Sequence, residues 1–191
     1  MRSLVEAGLP VAAVISNRAD AVGLEFARSR GIPTTFVEHR SFASREAFEE
    51  ALGAAIDRYA PPLLALAGFM RVLTPAFVRR YAGRALNIHP SLLPAFPGLE
   101  THARALAAGV KVHGCTVHFV TEALDAGPIV LQAAVPVLAS DTAATLASRV
   151  LEQEHRVYPR AARWFLEGRL VIENGTVRVK GDDAQLLFSA S

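Results

Sequence analysis

Short apolar runs alternate along the chain with segments whose apolar residues recur every third or fourth position. The first kind of pattern suits strands and the second suits amphipathic helices. VAAVIS (Val11 to Ser16) predicts a strand, and GLEFARSR (Gly23 to Arg30) predicts a helix that Gly31 terminates. TTFVE (Thr34 to Glu38) is the next strand. A helix is predicted from Ser44 to Tyr59, with Ser44 as N-cap and Phe48, Leu52, Ala55, Ile56 and Tyr59 on one face. Pro61 and Pro62 stop it. LLALAG, from Leu63 to Gly68, is apolar throughout, which predicts a strand buried on both faces.

Thr74 and Pro75 open a short helix as N-cap and first helical residue. RALNIH (Arg84 to His89) predicts a strand that Pro90 ends. A helix over Thr101 to Ala108 runs up to Gly109. Strands over Gly114 to Val120 and Pro128 to Val137 are joined by TEALDAG. A long helix starts near Thr142, with an interruption expected at Pro159. Asn174-Gly175 between LVIE and TVRVK predicts a C-terminal β-hairpin. The alternation of strands and helices predicts one α/β domain over residues 1–191. Its sheet should be mostly parallel and twisted, with helices on both faces and antiparallel pairing among the later strands. In open sheets of this kind ligands bind beyond the carboxyl ends of the strands. The positions to search follow Gly68, His89 and Val120.

Composition narrows the partners. Half of the chain is apolar and the formal net charge is only +2, with no run of like charges, so nucleic acid is not an expected partner. Cys115 is the sole cysteine, which excludes an intrachain disulfide and fits a reducing cytoplasm. The longest apolar stretch, LLALAGFM, is too short to span a bilayer, and the first residues carry no apolar signal core. The six histidines fall in no HExxH or Cys/His spacing, so no metal site is expected. Ser91 lies outside any GxSxG elbow, neither nucleotide-binding glycine fingerprint occurs, and Cys115 suits a buried strand position better than a nucleophile.

Asn87 and His89 are two apart on one predicted strand, so their side chains share a face, and Pro90 places both at its carboxyl edge. Asn can donate to a developing oxyanion, and His can do so or pass a proton. The plainer reading is that both simply finish a strand. Asp125, in LDAGP, is either an ordinary turn residue or a carboxylate turned inward beside an imidazole. Thr116 and His118 share one face of their strand, where they either support the same pocket or stand half-exposed.

Taken together, several segments change the picture. AGFMRVLTPAFV from Ala67, YAGRALNIHPSLLPAFPGLETHARAL from Tyr81 and VHGCTVHFVTEALDAGPIVLQAAVPV from Val112 closely resemble the phosphoribosylglycinamide formyltransferase family. ISNRADAVGLEFARSRGIPT and RVLEQEHRVYP extend the resemblance over nearly the whole chain. It implies transfer of a formyl group from 10-formyltetrahydrofolate to the amine of glycinamide ribonucleotide in purine synthesis, without a metal. By resemblance His89 is the proton donor, Asn87 helps to bind the formyl oxygen, and Asp125 positions the histidine and favours its charged form. Arg45 and the stretch Met70, Arg71, Val72 and Leu73 match the folate site, Glu154 matches a ribonucleotide contact, and Thr116 and His118 are supporting.

The family begins with a central parallel strand and a Gly-rich phosphate loop at a helix N-terminus. By resemblance both would precede Met1, with RSLVEAG as the second half of that helix, so the functional protein is expected to be longer. Glu100 stands where the resemblance leads one to expect histidine. Three rival functions follow: a formyltetrahydrofolate deformylase, which transfers the same group to water; a methionyl-tRNA formyltransferase, which needs an additional RNA-binding domain; and a folate-binding remnant without activity.

Overall fold

The computed structural model describes residues 1–188. In chain order the elements are α1 (Arg2–Glu6), β1 (Val14–Ser16), α2 (Val22–Ser29), β2 (Thr34–Phe36), α3 (Arg45–Asp57), β3 (Leu64–Leu66), α4 (Pro75–Arg80) and β4 (Ala85–His89). They continue with α5 (Thr101–Ala107), β5 (Val112–Phe119), β6 (Ile129–Pro136), α6 (Ala143–Leu166), β7 (Leu170–Glu173), β8 (Thr176–Val179) and β9 (Leu186–Phe188). The expected caps are formed. Ser44 Oγ accepts from the Ala47 N–H at 3.1 Å, and Thr74 Oγ1 accepts from the Phe77 N–H at 3.3 Å. A capping box of Thr142 and Thr145 starts α6.

The fold is α/β with a mixed central sheet in the order β3-β4-β5-β6-β9. β3 and β4 pair parallel, β4-β5-β6 antiparallel, and β9 adds parallel to β6. The C-terminal hairpin of β7 and β8 forms around Asn174-Gly175 as expected. α6 is one helix of 24 residues and is not interrupted at Pro159. A proline inside a helix costs about 3 kcal/mol. Here the turn around it is held by the buried Val157, Tyr158, Ala161, Ala162 and Trp164, whose packing against the sheet offsets that cost. The single proton of the Tyr158 hydroxyl is shared between the carbonyls of Leu66 (2.8 Å) and Leu86 (3.0 Å), pinning the helix over β3 and β4.

β1 and β2 form a separate parallel pair, and no ladder joins β1 to β3. Val14 to Asn17 face Leu64 to Gly68 across one cavity, while Val11 and Ala12 face Leu63 and Ala65 across another. The facing edges of β1 and β3 therefore border an apolar slot running the length of both strands.

Candidate active site

The period of two along β4 points Asn87 and His89 to one face, and antiparallel register sets Asn87 opposite His118 and His89 opposite Thr116. The other face of β5, with Cys115, Val117 and Phe119, is buried in the main core. Four polar side chains are thereby gathered at one point of the sheet, although β4 and β5 lie 31 residues apart at the Asn87–His118 contact.

The bonding resolves the imidazole tautomers. His118 Nδ1 lies 2.9 Å from the Phe119 carbonyl, which can only accept, so Nδ1 carries the proton. Its Nε2 then accepts from the Asn87 amide at 3.2 Å. This orients Asn87 as a donor and leaves its second N–H for an oxygen in the cleft. Burial lowers the His118 pKa, only partly offset by the Phe119 carbonyl and Asp125, which keeps the ring neutral at pH 7. His89 Nε2 donates to the Phe96 carbonyl at 3.0 Å, and its Nδ1 faces Asp125 Oδ2 at 3.4 Å. Asp125 Oδ1 lies 3.8 Å from His118 Nε2. One carboxylate thus faces both imidazoles from a side chain only 10% exposed.

Asp125 reaches this place from a turn in which its own backbone is left-handed (φ 50°), a conformation that Asp tolerates better than most residues. The Gly98 N–H donates to its Oδ2 at 2.8 Å, joining the loop after β4 to the turn after β5. Gly127 closes the turn with its Cα against the Phe119 carbonyl, and an added Cβ would come within 1.8 Å of that oxygen. Gly127→Ala is therefore expected to destabilise the protein by about 3 kcal/mol or more and to depress turnover, because the turn carrying Asp125 must move. Thermal denaturation of the variant, beside its kcat, checks this.

Asn87, His118 and Asp125 line a cleft with Leu66, Phe69, Arg71, Val72, Leu73, Val120 and Leu124. Arg71, Val72 and Leu73 thus line the same cleft as Asn87, His118 and Asp125. Met70 is 79% exposed and stands outside the lining. Arg45 is exposed at the first position of α3, also outside it. Glu154 lies apart on α6, where burial pushes its carboxyl pKa up to about 7 against the opposing pull of the Met1 amino group. Thr116 is fully buried and does not reach the cleft. It donates to the Ser91 carbonyl (2.7 Å) and accepts from the Leu93 N–H (3.0 Å) and Gln132 (2.9 Å), so it holds the loop that follows His89. Neither the Phe96 carbonyl nor the Gly98 N–H can be read from residue types, since backbone groups leave no such signature; the Pro97-Gly98 turn is the one available hint. Among the described residues no cluster of His, Cys, Asp and Glu is arranged to hold a metal ion, and no helix is long and apolar enough to cross a membrane.

Behind His89 lie His102 and His113, whose rings meet edge to face at 5.2 Å, with Phe96 on the other side of His113. His113 is 1% exposed, and neither of its nitrogens makes a well-formed hydrogen bond. Burial pushes its pKa down to about 4 from 6.5; the nearby His102 adds to this and the Pro90 carbonyl only partly opposes it. A lowered histidine pKa means that the unfolded chain binds more protons than the folded one, so stability falls as pH drops from 6.5 towards 4. A loss of about 2 kcal/mol from His113 is expected between pH 7 and pH 5. Urea denaturation at both pH values checks it, and His113→Leu should reduce the difference, leaving the smaller share from His102 and His118, whose pKa values burial also lowers.

The family pattern described as formyl transferase matches residues 3–162. The phosphoribosylglycinamide formyltransferase of Escherichia coli is 53% identical over 171 residues, covering 90% of this chain and 81% of the relative. The phosphoribosylglycinamide formyltransferase structure from Coxiella burnetii superposes with a TM-score of 0.89 at 49% identity, over 94% of this chain and 87% of that one. A formyltetrahydrofolate deformylase from Pseudomonas syringae shares the fold at 30% identity and TM-score 0.86, but 93% of this chain covers only 61% of it.

Proposed function

Since the chain belongs to the formyl transferase family, and within it groups with the phosphoribosylglycinamide formyltransferases, we propose that its cleft moves the formyl group of 10-formyltetrahydrofolate to the amine of glycinamide ribonucleotide. It is a folate-dependent formyltransferase of purine biosynthesis, acting on small molecules. The observation that carries the site assignment is one cleft lined on one side by Asn87, His118 and Asp125 and on the other by Phe69 and Arg71 to Leu73. The apolar wall of Leu66, Phe69, Val72, Leu73, Val120 and Leu124 suits a flat heteroaromatic ring, and the polar wall suits a reacting carbonyl.

The bound folate supplies an activated formyl group whose oxygen gains negative charge when an amine attacks. Asn87, oriented by neutral His118, directs its second N–H to that oxygen; one such donor is worth roughly 3 kcal/mol in the transition state. Asp125 faces His89 and balances positive charge on its ring. As the bond to the folate nitrogen breaks and the formyl carbonyl re-forms, His89 supplies the proton that the departing nitrogen needs, and the proton the attacking amine gives up restores the charge on the ring. In the structure its Nε2–H is bonded to the Phe96 carbonyl, so delivery requires this bond to open. The loop from Pro90 to Glu100, with Phe96, Gly98 and Glu100 all at positive φ, is the element that must shift. Arg45 and Met70 would reach the folate from the rim, and Glu154 would contact the ribonucleotide from α6. A cytoplasmic location fits these substrates.

We further propose that the slot between β1 and β3 takes one more parallel strand, which would join the β1-β2 pair to the central sheet within a single domain. Its facing edges and apolar lining support this. An extended apolar segment fused ahead of Met1 should raise the melting temperature; an unchanged value would count against the proposal.

The test of the activity is consumption of 10-formyltetrahydrofolate with and without glycinamide ribonucleotide. Consumption that depends on the ribonucleotide is expected. Consumption without it would assign a hydrolase, and binding without turnover would assign a remnant.

A further inference from the structure

The loop between β3 and α4, residues 67–74, has no strand or helix of its own. It leaves β3 through Gly68 at φ +69°, and its Met70 and Val72 are 79% and 57% exposed. Such a loop keeps one shape only if its ends are fixed. β3 fixes the first end. The second is fixed from α3. Glu49 is 4% exposed on that helix, and both of its carboxylate oxygens accept from the Thr74 N–H, at 3.0 and 3.2 Å. Oε2 also accepts from the Thr74 hydroxyl. One turn of the same helix supplies a second anchor, since the Arg71 guanidinium lies 5.5 Å over the ring of Phe48.

From this geometry we infer that Glu49 is a positioning residue for folate. Acting through Thr74, it holds Arg71, Val72 and Leu73 in the shape that forms one wall of the cleft. The inference rests on the folate assignment above. A buried carboxylate with no basic partner among its hydrogen bonds is an expensive way merely to cap α4, because Thr74 already caps that helix through the Phe77 N–H. The carboxylate is also chemically specific. The Thr74 hydroxyl accepts from Phe77, so its own proton needs an acceptor, and the carboxylate is one. An amide at position 49 replaces one of the two oxygens with an NH2 group, which either opposes the Thr74 N–H at its shorter contact or, with the amide turned over, opposes the Thr74 hydroxyl proton. A loop released at one end must be ordered again each time folate binds, which weakens binding without touching the groups that react.

The experiment compares the wild type with Glu49→Gln, Thr74→Val, the double variant and Thr74→Ser. It measures kcat, the KM values for 10-formyltetrahydrofolate and for glycinamide ribonucleotide, and the melting temperature. Glu49→Gln and Thr74→Val should each raise the folate KM about tenfold, with kcat and the ribonucleotide KM within about threefold. The double variant should be no worse than the more affected single one, because the two residues act as one link. Thr74→Ser, which keeps the hydroxyl, should restore the folate KM. An unchanged folate KM, an equal rise in both KM values, or independent multiplying effects in the double variant would each overturn the inference. If Glu49→Gln does not fold, Thr74→Val against Thr74→Ser decides the matter alone. Absence of ribonucleotide-dependent turnover in the wild type would instead overturn the parent assignment.

Discussion

Replacing His89 with alanine is expected to lower kcat by about 10²- to 10⁴-fold, the range for loss of a positioned proton donor. The imidazole is 5% exposed and held on both nitrogens, by the Phe96 carbonyl at 3.0 Å and by Asp125 at 3.4 Å. These contacts fix where the ring sits, and the bond to the Phe96 carbonyl is the one that must open before the proton is delivered. The folate KM should change far less than kcat, because His89 is not among the residues lining the cleft. His89→Gln sharpens the test. It keeps a donor of similar reach for the Phe96 carbonyl but cannot exchange a proton at neutral pH, so it should retain more stability than the alanine variant and no more activity. Turnover within a few fold of the wild type in either variant would remove His89 from the chemistry.

The parts of this site that were legible in the sequence are those fixed by local periodicity. Asn87 and His89 share a face because a strand repeats every two residues, and Pro90 sets them at its end. Ser44 and Thr74 mark helix starts because a hydroxyl at that position satisfies an amide that would otherwise lack a partner. What was not legible depends on register and on backbone groups. Nothing in the spacing says that residue 118 stands opposite residue 87 rather than residue 89, yet this one step decides that His118 orients the amide while Thr116 holds a loop. The Gly98 N–H that holds Asp125 comes from a loop whose path depends on the whole sheet. Glu49 reads as one more charge on an amphipathic helix, and only its burial beside Thr74 reveals otherwise. Pro159 misled in the opposite direction, because a local cost was outweighed by packing that the local sequence does not display. The mixed pairing of the sheet follows the same logic: its strands other than β9 could be placed from the chain, but a mostly parallel sheet was expected where β4, β5 and β6 pair antiparallel.

Asp125 offers the cleanest separation of charge from architecture. Asp125→Asn keeps an oxygen for the Gly98 N–H, now 2.8 Å away, so the loop and the turn should stay joined and the melting temperature should move little. What is lost is a full negative charge 3.4 Å from His89 Nδ1. At an effective dielectric constant near 20 such a pair is worth about 5 kcal/mol when the ring is charged. Even half of that, withdrawn only from states in which the imidazole carries its proton, lowers kcat by about two orders of magnitude. Asp125→Ala removes the charge and also the acceptor for Gly98. It should therefore match the asparagine variant in kcat while losing stability in addition. If Asp125→Asn kept kcat within about threefold of the wild type while Asp125→Ala lost it, the carboxylate would matter as a strut between two loops, and the electrostatic role would be wrong. If both fell together with the asparagine variant fully folded, the charge itself would be the cause, because the strut would still be in place.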